Sequence, residues 1–483
     1  MGFAACFGNG ANRDLGGAVL DAVRRSVVSA EEPQALASDG LALAWNGRVR
    51  VACFPDDVTV LVTGQPRFLE SAGLAPEEAI HELYRRHGER LVDRVMGSFA
   101  ILIHDPVRKT SLLFRDRIGF VPVFYCVAGG ALWVSGGVRP ILAARPVPFT
   151  LDVPAVYRYV YLKAFESPDT PVREIRSMEP GQGLTWRGGK AELRRYWSLP
   201  LPAERRPDEG EKTVDELENL LRETASDAGG GADALLLSGG VDSSILGALA
   251  ASGTTVAYNV TFEGEYWPLD ESRYAEIAAE SCGLPLRKVP FSLSGVVAAL
   301  PTLFWDNLVP TANSGFKLAL VAGLAAPAGT GRYVLGEGAD TLLDYGWKWP
   351  YFNRLDRLFR LGGLLAPRAS KTLALFEEAL YRVRPRLGPG KGGEAVGILQ
   401  SYAASRLGYW KWKGSRFRPR EVSALFADVH RDKVGARLVS RIFESHYGRV
   451  TGGDWSEKLI AGSLSSYTPN QQLMNYSAIA HDH

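Results

Sequence analysis

The residues best suited to chemistry form a short turn that is rich in glycine and serine. Its sequence is Ser238-Gly239-Gly240-Val241-Asp242-Ser243-Ser244. Glycines accept positive φ angles and carry no side chain, so backbone N–H groups can close around an anion, while the serines add hydroxyl donors. The Asp242 carboxylate beside that anion is favourable when a divalent cation lies between them. The turn therefore predicts a pyrophosphate-binding loop that works with a divalent cation.

The segments on both sides explain where this turn must lie. Residues 235–237 have the length and apolarity of a buried parallel strand, and residues 245–251 have the composition of a helix. The turn is then at a helix N-terminus, where N–H groups and the helix dipole favour anions. The chain contains no Gly-x-x-x-x-Gly-Lys-Ser/Thr sequence, which excludes a Walker-type loop. A strand–turn–helix junction without a ligand is the alternative interpretation.

A second set of polar residues follows a predicted strand at 333–335. This set contains Gly336, Glu337 and Asp340. Ligands of doubly wound sheets bind at the C-terminal ends of the strands, and the turn at Ser238 also follows a strand. Both sets are therefore expected at one edge of a sheet, although a solvated pair of acidic residues in a loop is the alternative for Glu337 and Asp340.

The pattern along the chain predicts a two-domain α/β protein. Residues 1–200 alternate short apolar strands with turns, apart from a helical stretch at 76–95, which is typical of an antiparallel β-rich domain. Prolines and charged residues at 201–212 predict a linker. Residues 213–483 alternate helices with apolar strands and then become helical and aromatic-rich, which predicts a doubly wound α/β domain with helical additions.

Composition limits the classes of partner. The 483 residues include 55 basic and 53 acidic side chains, for a net charge of +2, so the overall charge favours neither nucleic acid nor a membrane as a partner. The four cysteines are widely separated and form no Cys-x-x-Cys pair, which argues against a disulfide framework or a zinc site. No export signal or long apolar run occurs, and we expect a cytoplasmic location.

Several segments resemble known families. The order Ser-Gly-Gly-Val-Asp-Ser-Ser resembles the loop of ATP pyrophosphatases, which split ATP between its α and β phosphates and adenylate a substrate. Five further segments resemble glutamine-dependent asparagine synthetases in sequence and in order: FRDRIGFVPVFY at 114–125, IRSMEPG at 175–181, YW at 196–197, DESRYA at 270–275 and GEGAD at 336–340. The chain thus resembles an asparagine synthetase-like amide ligase.

This resemblance implies an N-terminal Ntn-amidotransferase-like sandwich, a C-terminal ATP-pyrophosphatase-like synthetase domain, and ATP and Mg²⁺ as cofactors. Asp242 and Asp340 would be the carboxylates on the Mg²⁺ side. Glu337, counted with Asp242 as catalytic, would orient the attacking amine or take its proton. Thr341 stands where the family usually has a second Glu. The residues that would bind ATP are Leu237, Ser238, Gly239, Gly240, Asp242, Ser243, Ser244 and Gly336.

The amidotransferase half departs from the family pattern. Its catalytic cysteine follows Met1 directly, because removal of the methionine exposes both the thiol and the α-amine that activates it. Position 2 here is Gly, and Cys6 would have no free α-amine of its own. The family's glutamine-binding segment is also missing, and residues 63–68 take its place. We therefore expect a degenerate domain without glutaminase activity.

Relatives without glutaminase activity include β-lactam synthetases and the macrolactam synthetases, or cyclases, of lasso peptides. β-Lactam synthetases usually carry Tyr at the position of Glu337, so the resemblance favours a lasso cyclase, which joins the N-terminus of a precursor peptide to an Asp or Glu side chain. The implied partners are the core peptide, a leader-binding protein and a leader peptidase. The alternatives are a β-lactam synthetase, an ammonia-dependent asparagine synthetase or tailoring amide ligase, and a non-catalytic ATP-binding scaffold.

Two features of the C-terminal part bear on this choice. Aromatic and basic residues cluster at 345–352 and 409–420, where they form either a peptide groove or the core and solvated face of a helical subdomain. The sequence ends at His483, before the late lysine that the resemblance implies. We interpret this ending as a truncation.

Overall fold

A computed structural model of the protein describes most of the N-terminal half and several segments of the C-terminal half. The described residues are 2–8, 13–26, 32–47, 49–70, 73–162, 164–199, 210–229, 233–250, 255–262, 264, 270–294, 297, 333–336, 338–339 and 425–426.

The first of two antiparallel sheets contains the strand that begins the chain. This strand pairs with a neighbour on each side, so it lies inside the sheet. In spatial order the six strands are β10 (Arg176–Ser177), β8 (Phe124–Ala128), β9 (Ala131–Ser135), β1 (Phe3–Phe7), β3 (Leu41–Trp45) and β2 (Gln34–Ser38).

The second antiparallel sheet is built around two long strands that pair over ten residue positions, from Thr59 opposite His104 to Phe68 opposite Val95. In spatial order its six strands are β12 (Lys190–Arg195), β11 (Gln182–Arg187), β7 (Thr110–Arg115), β6 (Val95–Asp105), β5 (Thr59–Phe68) and β4 (Arg50–Cys53).

Helices cover the outer faces of the two sheets. Apolar residues from both sheets, such as Phe3 and Leu102, pack together between them. Helix α2 (Pro76–His87) packs on the outer face of the second sheet, and helices α1 (Arg13–Ser26) and α3 (Val138–Ala144) lie over the first. The result is a four-layer α/β/β/α arrangement, as predicted for an amidotransferase-like sandwich. Helix α4 (Val153–Leu162) follows α3.

Arg115 and Asp116 shape the turn that follows β7. Arg115 is fully buried, and its guanidinium donates to the carbonyl oxygens of Val121 at 3.0 Å, Gly119 at 2.7 Å and Met178. Asp116 accepts four backbone N–H bonds from residues 118–121. Burial lowers the pKa of Arg115 to about 10, which leaves it charged at neutral pH. These charged residues therefore shape a turn and are buried away from solvent.

The C-terminal region contains a parallel sheet, as predicted. Its order is β15 (Leu286–Pro290), β14 (Val256–Thr261), β13 (Ala234–Leu236) and β16 (Tyr333–Val334), and every pairing is parallel. Helices α5 (Glu211–Gly229), α6 (Val241–Ala250) and α7 (Ser272–Cys282) accompany it. The predicted two-domain α/β fold class, with an antiparallel sandwich followed by a parallel-sheet domain, is confirmed.

Two predicted helices have different bounds. The helix predicted at 76–95 ends at His87, because Gly88 takes a positive φ of 57°, and a 3₁₀ helix continues over Gly88–Arg94. Helix α6 begins four residues before the predicted 245, because Gly240 O already accepts the Ser244 N–H at 3.0 Å. None of the helices in the described part of the chain is both long and apolar enough to span a membrane.

Candidate active site at the end of the parallel sheet

The predicted loop lies at the C-terminal end of β13 and runs directly into α6. Its serines shape it from inside: Ser238 Oγ is 3.1 Å from Ser243 Oγ and accepts the Gly240 N–H at 3.2 Å. The Ser243 and Ser244 hydroxyls both donate to Gly240 O, at 3.1 Å and 2.8 Å. The loop therefore folds back on its own polar groups and presents the first turn of α6 at the sheet edge. Such a turn offers outward N–H groups to an anion.

Gly239 brings this loop against the start of α7. Its φ is +80°, and a Cβ built on it would lie 2.2 Å from the Tyr274 carbonyl carbon and 2.4 Å from the Ala275 nitrogen. A side chain at this position would therefore overlap backbone atoms that cannot rotate away. The close approach explains why the loop needs glycine here, and it joins two segments that are distant in sequence.

Asp270 fixes the start of α7 under the loop. Its carboxylate accepts the Phe262 N–H at 2.8 Å at the end of β14, and it accepts both the N–H and the hydroxyl of Ser272. Hydrogen bonding from Ser272 holds the pKa of Asp270 below its ordinary value of 3.8. The DESRYA segment thus ties a strand end to a helix start.

Gly336 brings the third segment to the same place. It follows β16, which pairs in parallel with β13. The segments after these two strands therefore leave the sheet at the same edge. A Cβ on Gly336 would lie 3.0 Å from the Ser243 nitrogen and 3.2 Å from the Asp242 Cβ. A larger side chain would cover the first turn of α6, which glycine leaves open. The structure therefore brings together Leu237, Ser238, Gly239, Gly240, Asp242, Ser243, Ser244 and Gly336.

Of the three carboxylates predicted at this edge, Asp242 lies within the described residues. Asp242 is half-buried in the first turn of α6. Glu337 and Asp340, predicted as catalytic and metal-binding residues, lie outside the described residues, as does the aromatic and basic cluster at 345–352 and 409–420. No group of three or more His, Cys, Asp or Glu side chains that could hold a metal ion occurs within the described ranges.

The donors present fit a nucleotide phosphate. A glycine-shaped loop and a helix N-terminus left uncovered by Gly336 match the requirements of an anion, and the serine hydroxyls hold the loop in this shape. Asp242 adds one hard oxygen ligand of the kind that Mg²⁺ prefers. The arrangement can therefore hold pyrophosphate, with a cation completed by ligands from elsewhere.

Asn259 in β14 is a further residue at this site that no motif of the sequence singles out. This side chain is only 5% exposed, and its Nδ2 donates to Leu237 O at 2.8 Å. A polar residue in the middle of an otherwise apolar strand was the available signal, because a buried amide is costly unless it is hydrogen-bonded.

At the start of the chain, unlike at the open first turn of α6, the space beside a glycine is filled. Gly2 immediately precedes β1, and a Cβ built on it would lie 1.3 Å from Asn46 Oδ1, so the Asn46 side chain fills the space of a side chain at position 2. Cys6 lies inside β1 and is fully buried, and desolvation raises the pKa of its thiol to about 12. Residues 63–68 belong to strand β5 and pair with β6 throughout.

Two known protein families match this chain, one in the N-terminal region and one in the C-terminal region. Residues 64–197 match the family described as glutamine amidotransferase domain, and residues 232–433 match the family described as asparagine synthase. The C-terminal region is therefore similar to asparagine synthases, and the N-terminal region to glutamine amidotransferase domains. The loop at Ser238, the start of α7 and Gly336 all fall inside the asparagine synthase match.

Individual proteins are similar to this chain over part of their length. A putative glutamine-hydrolysing asparagine synthetase of Methanocaldococcus jannaschii is 29% identical over 62% of this chain and 60% of its own length. Asparagine synthetase 3 of Bacillus subtilis is 25% identical over 46% and 38%, and the amidase chry2 of Gibberella zeae is 26% identical over 54% and 42%. The chain thus spans 38% to 60% of the length of these relatives.

Among solved structures, glutamine phosphoribosylpyrophosphate amidotransferase from B. subtilis aligns with 60% of this chain and 66% of its own. The sequence identity is 12% and the TM-score is 0.28, which is too low to support an argument about fold.

Proposed function

We propose that this protein is an ATP-dependent, AMP-forming amide ligase that works with Mg²⁺. The observation that carries the proposal is the meeting of three segments at one edge of the parallel sheet: the serine-lined loop after β13, the start of α7 against Gly239, and Gly336 beside the first turn of α6. A phosphate site in this position is the usual ligand site of a doubly wound sheet.

The proposed reaction has two steps. A carboxylate oxygen of the substrate attacks the α-phosphorus of ATP, and pyrophosphate leaves into the loop formed by residues 238–244. An amine then attacks the acyl carbon, AMP leaves, and the amine loses a proton, so that the two substrate groups join with net loss of water. In this scheme Asp242 and Asp340 hold Mg²⁺, which would neutralise phosphate charge, and Glu337 orients the amine or accepts its proton.

We further propose that the N-terminal domain supplies no ammonia from glutamine. Gly2 offers no nucleophile at the start of β1, and the Asn46 side chain fills the space in which one would stand. Cys6 is no substitute, because its buried thiol has a pKa of about 12 and is protonated at neutral pH. The attacking amine then comes from free ammonia or from the substrate itself.

Of these two sources of the attacking amine, we favour an amine within the substrate itself. The substrate would be the core of a precursor peptide whose N-terminus joins an Asp or Glu side chain, with a leader-binding protein and a leader peptidase as partners. Closing a ring depends mainly on holding both ends together, and such proximity is worth up to about 7–11 kcal/mol. The support is the sequence resemblance at Glu337 together with the filled position at Gly2.

A ligase for a small acid is the second candidate. The relatives named asparagine synthetases favour aspartate with ammonium, and a β-amino acid that closes to a β-lactam belongs to the same group. The two candidates share the adenylation step and differ in the source of the amine. Substrate-dependent release of pyrophosphate therefore separates them.

The first experiment measures pyrophosphate and AMP release from Mg-ATP with aspartate plus ammonium, with β-amino acids, and with a leader-free precursor peptide encoded beside this chain. Release with the peptide, with loss of one water from its mass, supports the macrolactam synthetase. Release with the small acids alone replaces it by the second candidate. No release with any of them, despite ATP binding, contradicts the ligase and favours a non-catalytic ATP-binding protein.

Asp242→Asn tests the role of the loop carboxylate. We expect substrate-dependent pyrophosphate release to fall by at least about 100-fold, because a neutral amide is a poor Mg²⁺ ligand. The matched control is Glu218→Gln, which removes a carboxylate from an exposed pair with Arg222 on α5. Full activity in Asp242→Asn would refute the magnesium assignment.

A further inference from the structure

Asn259 occupies an unusual place for a polar side chain. It lies within β14 on the same face as Ala257, which packs with Leu235, Leu237 and Ala275 in an apolar cluster. Only 5% of the residue is exposed. A buried carboxamide in such surroundings destabilises the fold unless its polar atoms are bonded, so its presence calls for a physical reason.

One half of this carboxamide holds the chain where it leaves the sheet. The Leu237 N–H still bonds Tyr258 O at 2.9 Å, but β13 itself ends at Leu236. The Leu237 carbonyl instead accepts the Asn259 Nδ2–H at 2.8 Å. This bond orients the peptide that enters Ser238, the first residue of the loop, and a side chain thus extends the strand pairing by one step.

The other half has a free acceptor. Asn259 Oδ1 is buried and has no hydrogen-bond partner within the described part of the chain. A buried acceptor without a partner costs free energy, so such a group in a native protein calls for an explanation such as a functional role. The loop beside it carries the N–H and hydroxyl donors that a bound triphosphate would reorient.

We propose that Asn259 is a positioning residue for the nucleotide. Its N–H group fixes the exit of β13, and its Oδ1 accepts a donor of the 238–244 loop when the loop holds a triphosphate. The inference rests on the proposed function in that the loop must bind a nucleotide. It adds a requirement for a neutral side chain that both donates and accepts at position 259.

The test uses Mg-ATP binding by the full chain, because binding can be measured without the acyl substrate. Asn259→Leu keeps the volume and loses both polar groups, and we expect the Kd to rise roughly ten-fold at every pH. Asn259→Asp can donate to Leu237 O only when protonated, and burial raises the pKa of such a carboxyl. Its Kd relative to the unaltered protein should therefore fall as the pH is lowered from about 8 to about 6.

Other titrating groups near this position are present in all the proteins compared. Lys288 pairs in register with Asn259 and forms an ion pair with Glu276 of α7. Cys282 contacts α6 from the same helix, and Asp242 and Asp270 lie at the sheet edge. Their effects cancel in the ratio of variant to unaltered protein.

Asn46→Asp is the matched control, because it makes the same chemical change at another buried asparagine, in the N-terminal sandwich. It should leave the Kd for Mg-ATP and its pH dependence unchanged, and the Tm of every variant reports folding.

Three outcomes would overturn the proposal. The first is that the Asn259→Leu variant binds Mg-ATP as tightly as the unaltered protein, and the second is that the Asn259→Asp variant shows no recovery of affinity at low pH. The third is that the unaltered protein does not bind Mg-ATP. Binding of Mg-ATP without pyrophosphate release would refute the ligase alone.

Discussion

The glycine at the start of the chain and two glycines of the parallel-sheet region serve opposite purposes. At Gly2 the Asn46 side chain occupies the space beside the Cα, so any other residue at position 2 would have to displace it. At Gly239 the absence of a side chain lets two segments meet, and at Gly336 it leaves the first turn of α6 open. In the first region a neighbouring side chain occupies the space beside the glycine. In the second region the glycines leave space for other segments and for the first turn of α6.

This difference underlies the proposal that the first region has lost glutaminase activity while the second region binds a nucleotide phosphate. The sandwich keeps its layers because its core and the buried Arg115 network do not depend on the residue at position 2. The parallel sheet keeps its loop only while three segments approach within van der Waals contact. We therefore expect substitutions at position 2 to affect stability alone, whereas substitutions in the loop of the second region also affect activity.

The largest effect is expected at Gly239. Gly239→Ala places a Cβ 2.2 Å from the Tyr274 carbonyl carbon at a φ of +80°, so the loop must move away from α7. We expect pyrophosphate release to fall on the order of 100-fold, as about 3 kcal/mol of strain and displacement would produce. The matched control is Gly240→Ala, whose Cβ would meet Ser238 Oγ at 3.3 Å. Equal effects of the two substitutions would break the comparison.

A smaller effect is expected at the start of the chain. Gly2→Ala must displace the Asn46 side chain and should lower the free energy of unfolding by about 1–3 kcal/mol without changing pyrophosphate release. In the double variant with Asn46→Ala, the added methyl finds room and this cost should largely disappear. Denaturant unfolding of the single and double variants measures the coupling. Additive effects would show that Asn46 does not fill this space.

The smallest effect concerns Asp270, and it depends on pH. Its folded-state pKa is lowered below 3.8 by hydrogen bonding from Ser272, so the stabilisation is present above this value and is lost as the pH falls through the folded pKa. Asp270→Asn should therefore be less stable than the unaltered protein at about pH 6, and the difference should shrink towards about pH 3. Urea unfolding at both pH values checks this. A constant difference would show that ionisation of Asp270 does not support the start of α7.

Much of the fold was predictable because strand alternation and turn residues are local signals. The strands predicted at 235–237 and 333–335 are β13 and β16, and each lies within one residue of its predicted bounds. Boundaries failed where a single backbone contact decides them, as at Gly88 and at the start of α6. The pairing order within each sheet could not be read from local pattern, since it depends on contacts between distant residues.

The sequence by itself determined the chemistry: a glycine- and serine-rich loop with one carboxylate, a second acidic segment, and a glycine in place of a cysteine at position 2. The tertiary structure decided which of these features meet. It brought Gly239 against α7 and Gly336 against α6, gave Asn259 its bond to Leu237, and put Asn46 into the space beside Gly2. Residue types set which groups can donate, accept or titrate, but distances between residues far apart in the chain are fixed only by packing.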